Sequence, residues 1–297
     1  IKFFIILFIF IFAIALRLWN LDKMGRTWDE PFYVESGYKF IDLVKKGDLF
    51  DPAWYKDESS NSPPLALYLI GLGSNLDVNR FDAFGNPIFN YDYTYSRLIS
   101  IIFYSLTVVL VVIIGGRYIS FFAGIVAGTI LSMMPLSVGY SQLAVMESFV
   151  IFFFTATFFS FLNFLSNFSK KNIILTGILL GMALNVKYTN FLLIPLMLLT
   201  IFIWIFRNNK DKKNTKSYIK GILAIFTISL VTAFVIWPMP WFHLREVFIH
   251  NLGLRSSLYS VPEVFFGKLM LTPKIYYFVY FLITTPLLVL TFFIIGL

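Results

Sequence analysis

Long apolar runs separated by short polar breaks govern this chain from end to end. They occupy residues 1–18, 98–116, 121–138, 148–165, 172–186, 191–206, 218–237 and 275–297. A helix rises 1.5 Å per residue, so about twenty apolar residues cross the ~30 Å hydrocarbon core of a bilayer. Eight such runs predict eight transmembrane helices, the 172–186 run being the shortest. Lys187-Tyr188-Thr189-Asn190 divides a stretch too long for one crossing, and it puts Lys187 at or below the membrane surface. A further apolar run, opened by Ser62-Pro63-Pro64-Leu65 and ending at Leu76, is too short to span. It is expected to be interfacial or re-entrant. Residues 19–63 are polar, but the aromatics of 33–41 recur at helical spacing, which predicts a helix lying along the interface. No internal repeat or low-complexity tract appears.

Composition turns this pattern into a class. Hydrophobic residues make up 58% of the chain and charged residues 13%, with 36 Phe. The mean hydropathy is +0.79. No soluble domain of this size has interior enough for that much apolar surface, so the expected fold is an all-α polytopic membrane protein. There is no Cys, which excludes disulfides and thiolate metal sites, and two His do not make a dedicated zinc cage.

The net charge of +8 invites a nucleic-acid reading, and its distribution removes it. Residues 207–220 carry Arg207, Lys210, Lys212, Lys213, Lys216 and Lys220 against Asp211 alone, which marks that segment as cytoplasmic. Alternation puts Lys2, Arg117, Lys170 and Lys171 on the same side. That side then holds ten of the 24 Lys and Arg with one of the 16 acids, and the charge reports topology. The count works only if the 65–76 run does not cross. Asp29, Glu30, Glu147, Lys187, Arg245, His243 and His250 all fall on the non-cytoplasmic side. Ionisable groups at a membrane boundary are costly, and their default explanation is a functional site.

Thr27-Trp28-Asp29-Glu30-Pro31-Phe32-Tyr33 holds the most pointed chemistry. Adjacent carboxylates can do general-base work on a hydroxyl when placed and partly desolvated. They can equally be an acidic helix start, with Asp29 as N-cap and Pro31 early in the helix. Combined with Lys187 and loop arginines able to hold a phosphate, the set suits sugar transfer from a lipid phosphate. Phosphate is already a good leaving group, so a base for the acceptor and cations for the phosphate suffice. A second carboxylic acid, as in glycoside hydrolysis, is not needed.

The same residues resemble the family of dolichyl-phosphate-mannose–protein mannosyltransferases and aminoarabinose transferases, of the GT-C membrane class. Asp29-Glu30 through Tyr33 is similar to that family's Asp-Glu-x-x-Tyr, and Ser62-Pro63-Pro64-Leu65 to its His-Pro-Pro-Leu. Arg97-Leu98 resembles the Arg-Leu that opens the next helix. Gln142 through Glu147 resembles Arg-x-x-x-x-Asp, and Gly181 through Thr189 the Gly-x-Ala-x-x-x-Lys-Tyr-Thr element. Gly267-Lys268, Pro273, Tyr276-Tyr277 and Thr284-Thr285-Pro286-Leu287 complete a collinear set over nearly the whole chain. Ser62 for His, Gln142 for Arg and Glu147 for Asp are departures, the last two at the second acidic site.

The resemblance implies one GT-C-type module over 1–297. It has an outer loop with interfacial helices at 19–96, a cytoplasmic basic loop at 207–216 and a second outer loop at 238–274. It implies inverting transfer from a polyprenyl-phosphate sugar to a hydroxyl of a protein, lipid or glycan at the non-cytoplasmic face of a bilayer. Asp29 is then the base, with Glu30 shaping the site, and Lys187, Glu147, Arg97, Tyr33 and His250 serve the donor and its phosphate. No cofactor is implied with certainty, and a divalent cation stays open. Simpler readings stand beside these. Glu147 can be a helix-start acid, Lys187 a snorkelling side chain, Arg97 an interfacial anchor, and His243 an ordinary interfacial residue. A lipid or sugar transporter is the alternative function, although paired broken helices in repeated halves are not evident. The chain begins with Ile and stops inside an apolar run, so further helices or a soluble domain are expected beyond it.

Overall fold

The computed structural model describes residues 1–56, 62–207, 212–246 and 262–296. Helix α1 (Lys2–Leu18) leads into the first loop, which folds as α2 (Glu30–Lys46), α3 (Ala53–Lys56) and α4 (Leu65–Asp77). A two-stranded hairpin, β1 (Val78–Phe81) and β2 (Pro87–Phe89), closes that loop with Val78 opposite Phe89 and Phe81 opposite Pro87. Then follow α5 (Thr94–Tyr118), α6 (Phe121–Met133), α7 (Pro135–Ser141), α8 (Glu147–Ser166), α9 (Lys170–Leu184), α10 (Leu193–Arg207) and α11 (Lys212–Ile236). Beyond them lie α12 (Met239–Glu246), the hairpin β3 (Pro262–Phe265) and β4 (Lys268–Leu271), α13 (Tyr276–Thr284) and α14 (Leu287–Gly296).

Among the described residues, five segments are long and apolar enough to cross a membrane: Lys2–Lys23, Thr94–Tyr118, Glu147–Ser166, Tyr188–Phe206 and Lys216–Ile236. Two bent pairs, α6 with α7 at 63° and α13 with α14 at 109°, raise the number to seven. The chain is a multi-pass membrane protein, and the described residues supply five to seven spans where eight are expected. The 172–186 run forms α9, whose 15 residues extend only ~22 Å. Both bends sit at prolines, Pro135 and Pro286, where a missing N–H and the ring clash interrupt the helix. Helix α4, at 13 residues, is not among the spanning segments.

Small residues set the packing. A Cβ on Gly71 would overlap the Gly37 carbonyl, and one on Gly37 would lie 2.6 Å from the Leu67 oxygen, so α2 and α4 touch backbone to backbone. On α9, Gly177 and Gly181 are spaced by four, and a Cβ at Gly181 would meet the Ser229 oxygen of α11 at 2.6 Å. Such small-residue seams let helices associate in lipid, where apolar burial gives little drive. Ser120 and Ser169 cap α6 and α9, accepting from the amides of Ala123 (3.1 Å) and Asn172 (3.2 Å).

Hydrogen bonds show which helix ends share a side. The Gln142 amide, just after α7, donates to the carbonyls of Arg17 (2.8 Å) and Trp19 (3.1 Å) at the end of α1. The Leu65 amide donates to the Asn185 carbonyl after α9 at 2.9 Å, and the Tyr68 hydroxyl to Ile236 at the end of α11 at 3.2 Å. At the opposite end, the Tyr218 hydroxyl of α11 reaches the Leu165 carbonyl of α8 at 3.3 Å, and the Lys2 ammonium lies 5.3 Å from the Phe121 ring centre. The ends of α1, α7, α9 and α11 therefore meet the starts of α4, α5 and α8 around the first loop.

Candidate active site

The loop leaving α1 is pinned before it reaches the acid pair. The Arg26 guanidinium lies between the Tyr91 and Tyr93 rings, 4.3 and 4.2 Å from their centres, and Nη2 donates to the Asn90 carbonyl at 3.0 Å. Tyr93 holds a left-handed backbone (φ 47°), and the buried Asp77 carboxylate then accepts the amides of Tyr95 (2.9 Å) and Ser96 (2.8 Å). That contact satisfies donors otherwise orphaned at the start of α5. Neither Arg26 nor Asp77 stood out in the sequence, because their partners lie 65 and 18 residues away.

Glu30 and Arg97 form the centre of the loop. Both side chains are fully buried. Arg97 Nε donates to Glu30 Oε1 and Nη2 to Oε2, each at 2.8 Å. Arg97 also donates to the carbonyls of Met24 (3.0 Å) and Gly25 (2.9 Å). Glu30 accepts further from the amides of Ala144 (2.9 Å) and Thr27 (3.0 Å). Burial by itself raises the Glu30 carboxyl, but the Arg97 side chain and these two amides outweigh it and hold the group below its ordinary value. The pair ties the first loop to the starts of α5 and α8. Four of the N–H groups of Arg97, expected at the donor phosphate, are committed inside the protein. Glu30 shapes the loop and does not face outward.

Asp29 differs from its neighbour. It occupies the N-cap position of α2 but makes no capping hydrogen bond, and it is exposed beside a Trp28 that is 96% exposed. Its carboxylate is thus not spent on the helix start. One turn further, on the same face of α2, Tyr33 is half-buried. Burial, then the carboxylates of Asp29 and Glu147, push its hydroxyl up to about 12.

Glu147 opens α8 and accepts from Lys187 Nζ at 2.8 Å. Lys187 stands in extended backbone between α9 and a short turn at Tyr188–Leu192. The side chains keep 33% and 35% of their exposure, so this pair is open where Glu30–Arg97 is closed. Asp29, Tyr33, Glu147 and Lys187 are therefore brought to one end of the helix bundle. Gln142 does not join them, since its amide closes the end of α1. His250 lies outside the described residues, as does the His243 side chain. Among the described residues, no group of three His, Asp or Glu is placed to hold a metal ion.

Chemically, this end offers an exposed carboxylate able to accept a proton and, nearby, an ammonium already matched to an anion. No curated protein matches the chain. A family model for dolichyl-phosphate-mannose-protein mannosyltransferase matches residues 4–251, a span containing every one of the groups just described. With most of its length so matched, the chain belongs to the dolichyl-phosphate-mannose-protein mannosyltransferase family.

Proposed function

We propose that this chain moves a sugar from a polyprenyl-phosphate donor to a hydroxyl acceptor on the non-cytoplasmic side of its membrane, with inversion. The family's name specifies dolichyl-phosphate mannose as donor and protein as acceptor, and both carry over here as proposals. The observation that carries the reading is the exposed Asp29 carboxylate, held on a loop that the buried Glu30–Arg97 pair makes rigid, at the bundle end where Lys187 meets Glu147.

In the proposed step, the acceptor oxygen attacks the anomeric carbon while the bond from that carbon to the phosphate oxygen breaks. The acceptor proton passes to Asp29, and the phosphate leaves with the electron pair, its charge met by Lys187. One displacement on one face inverts the anomeric centre. Glu30 cannot act as a second carboxylate nucleophile, because both its oxygens are engaged by Arg97 and backbone amides. Tyr33, kept protonated well above neutral pH, can only donate or accept a hydrogen bond there.

Asp29→Asn tests the assignment. It keeps the shape and loses the base, so transfer should slow at least ~10²-fold, the usual scale for a general base. Binding of a polyprenyl-phosphate sugar should persist. Transfer within a few-fold of the parent protein in lipid would remove Asp29 from that role.

A further inference from the structure

The two acid–base pairs at this end of the bundle are built for opposite purposes. Glu30–Arg97 is fully buried, bidentate and surrounded by backbone partners. Glu147–Lys187 meets through a 2.8 Å contact and leaves a third of each side chain exposed. A half-solvated pair of this kind contributes little net stability and is readily exchanged. Its acid also loses little on release. Glu147 sits in the first turn of α8, where the helix amides favour a negative charge.

We infer that Glu147 is an exchangeable counter-ion: the donor phosphate displaces it from Lys187, and after transfer it returns and drives the spent prenyl phosphate out. This rests on the assignment of Lys187 to the phosphate made above. The need for such a device follows from the reaction itself. The donor is a phosphodiester with one negative charge. The product is a monoester, whose second ionisation lies near pH 6, so at pH 7 it carries nearly two. A bare lysine would therefore hold product more tightly than substrate and stall turnover. A tethered carboxylate competing for the same ammonium offsets that excess. Glu147 in this role is a positioning residue, acting through Lys187 and not on the sugar.

The experiment uses the full chain in lipid nanodiscs, a short prenyl monophosphate as probe, and four proteins: parent, Glu147→Gln, Lys187→Met and the double variant. Glu147→Gln should bind the probe about three- to tenfold more tightly, the scale of losing one partly exposed competitor. Its kcat should fall, with the prenyl phosphate becoming a stronger product inhibitor. Lys187→Met should bind more weakly, and adding Glu147→Gln to it should change nothing further. A carboxylate that merely supports the fold would weaken binding when neutralised. Unchanged or weaker binding by Glu147→Gln overturns the inference while leaving Lys187 on the phosphate. A double variant that binds more tightly than Lys187→Met also overturns it, since Glu147 would then act on the phosphate directly. Parent-like binding by Lys187→Met removes the phosphate assignment and the inference together. Glu147→Ala, measured alongside, should tighten binding too, which guards against a fault peculiar to the Gln side chain.

Discussion

At the scale of single residues, charge placement separates what holds the loop from what faces the aqueous side. A buried carboxylate that loses its charge leaves its arginine uncompensated, and breaking such a pair costs about 3–5 kcal/mol. Glu30→Gln should therefore lower the unfolding temperature sharply, and Arg97→Lys should do so in part, since charge remains but the two-pronged geometry is lost. The pH dependence has a defined sign. The folded carboxyl titrates below its unfolded value, so its contribution is complete above about pH 4.3 and is lost as pH falls through the lower, folded value. Glu30→Gln should lack that acid-sensitive component. Unfolding curves for the two proteins that stay parallel between pH 3 and 6 would refute the account. Arg17 poses the contrasting case. It is fully buried on α1, with Nη1 on the carbonyls of Ala13 (2.9 Å) and Ser132 (3.3 Å) and its guanidinium 4.6 Å from the Tyr104 ring centre. Its Nε and Nη2 find no hydrogen-bond partner among the described residues. Its position within an apolar run marks the charge as costly, but nothing in the run names the carbonyl and ring that receive it.

At the scale of elements, close backbone contact does what apolar burial cannot do in lipid. Gly71→Ala would force a methyl group into the Gly37 carbonyl, and α2 cannot yield without moving Glu30 and Asp29 at its start. Overpacking of this kind costs about 1–3 kcal/mol. Gly71→Ala should reduce both thermal stability and transfer, whereas Gly85→Ala, in an open hairpin turn, should trouble only its own left-handed backbone (φ 82°). Equal stability of the Gly71 variant and the parent would show that the α2–α4 seam is slack. Apolar run length made most of these helices legible in advance, and the spacing of the aromatics over 33–41 did the same for the helix at Glu30–Lys46. The breaks at Pro135 and Pro286 were also on view as residues, yet hydropathy passes over a proline that changes direction without changing polarity. The hairpins were hidden because their strands of three or four residues lack a strong alternating pattern. The site divides along the same line. Asp29, Glu147 and Lys187 announce themselves as charges beside apolar runs. The closed state of Arg97 depends on Glu30, 67 residues away, and on two carbonyls that no side-chain pattern encodes.

At the scale of the whole molecule, the hydrogen bonds fix which helix ends lie together, and the charges argue which side they face. The end opposite Asp29 gathers Lys2, Arg117, Lys170, Lys171, Lys216 and Lys220 near the starts or ends of its helices. Short basic segments are retained in the cytoplasm, and on that rule the proposed orientation turns that end inward and the loop of α2, α4 and the first hairpin outward. In the proposed function this orientation would also decide the chemistry, since Asp29 and Lys187 would meet only the lipid-linked sugars presented on their own side. The chain has no Cys, so single cysteines report position without background. Phe84→Cys, in a hairpin turn where the native ring is 90% exposed, and Trp28→Cys should react with a membrane-impermeant maleimide in intact cells. Lys171→Cys and Lys212→Cys should react only after the membrane is opened. Lys171 lies in the first turn of α9 and Lys187 follows the end of that helix, so the proposed orientation requires these 15 residues, short as they are for a bilayer, to join the two faces. Labelling of Lys171→Cys from outside, with Phe84→Cys protected, would invert the protein and move the proposed transfer to the cytoplasmic leaflet. Labelling of both from outside would mean that α9 does not carry the chain across, and the shared end at which Lys187 meets Glu147 would have to be reached by another path.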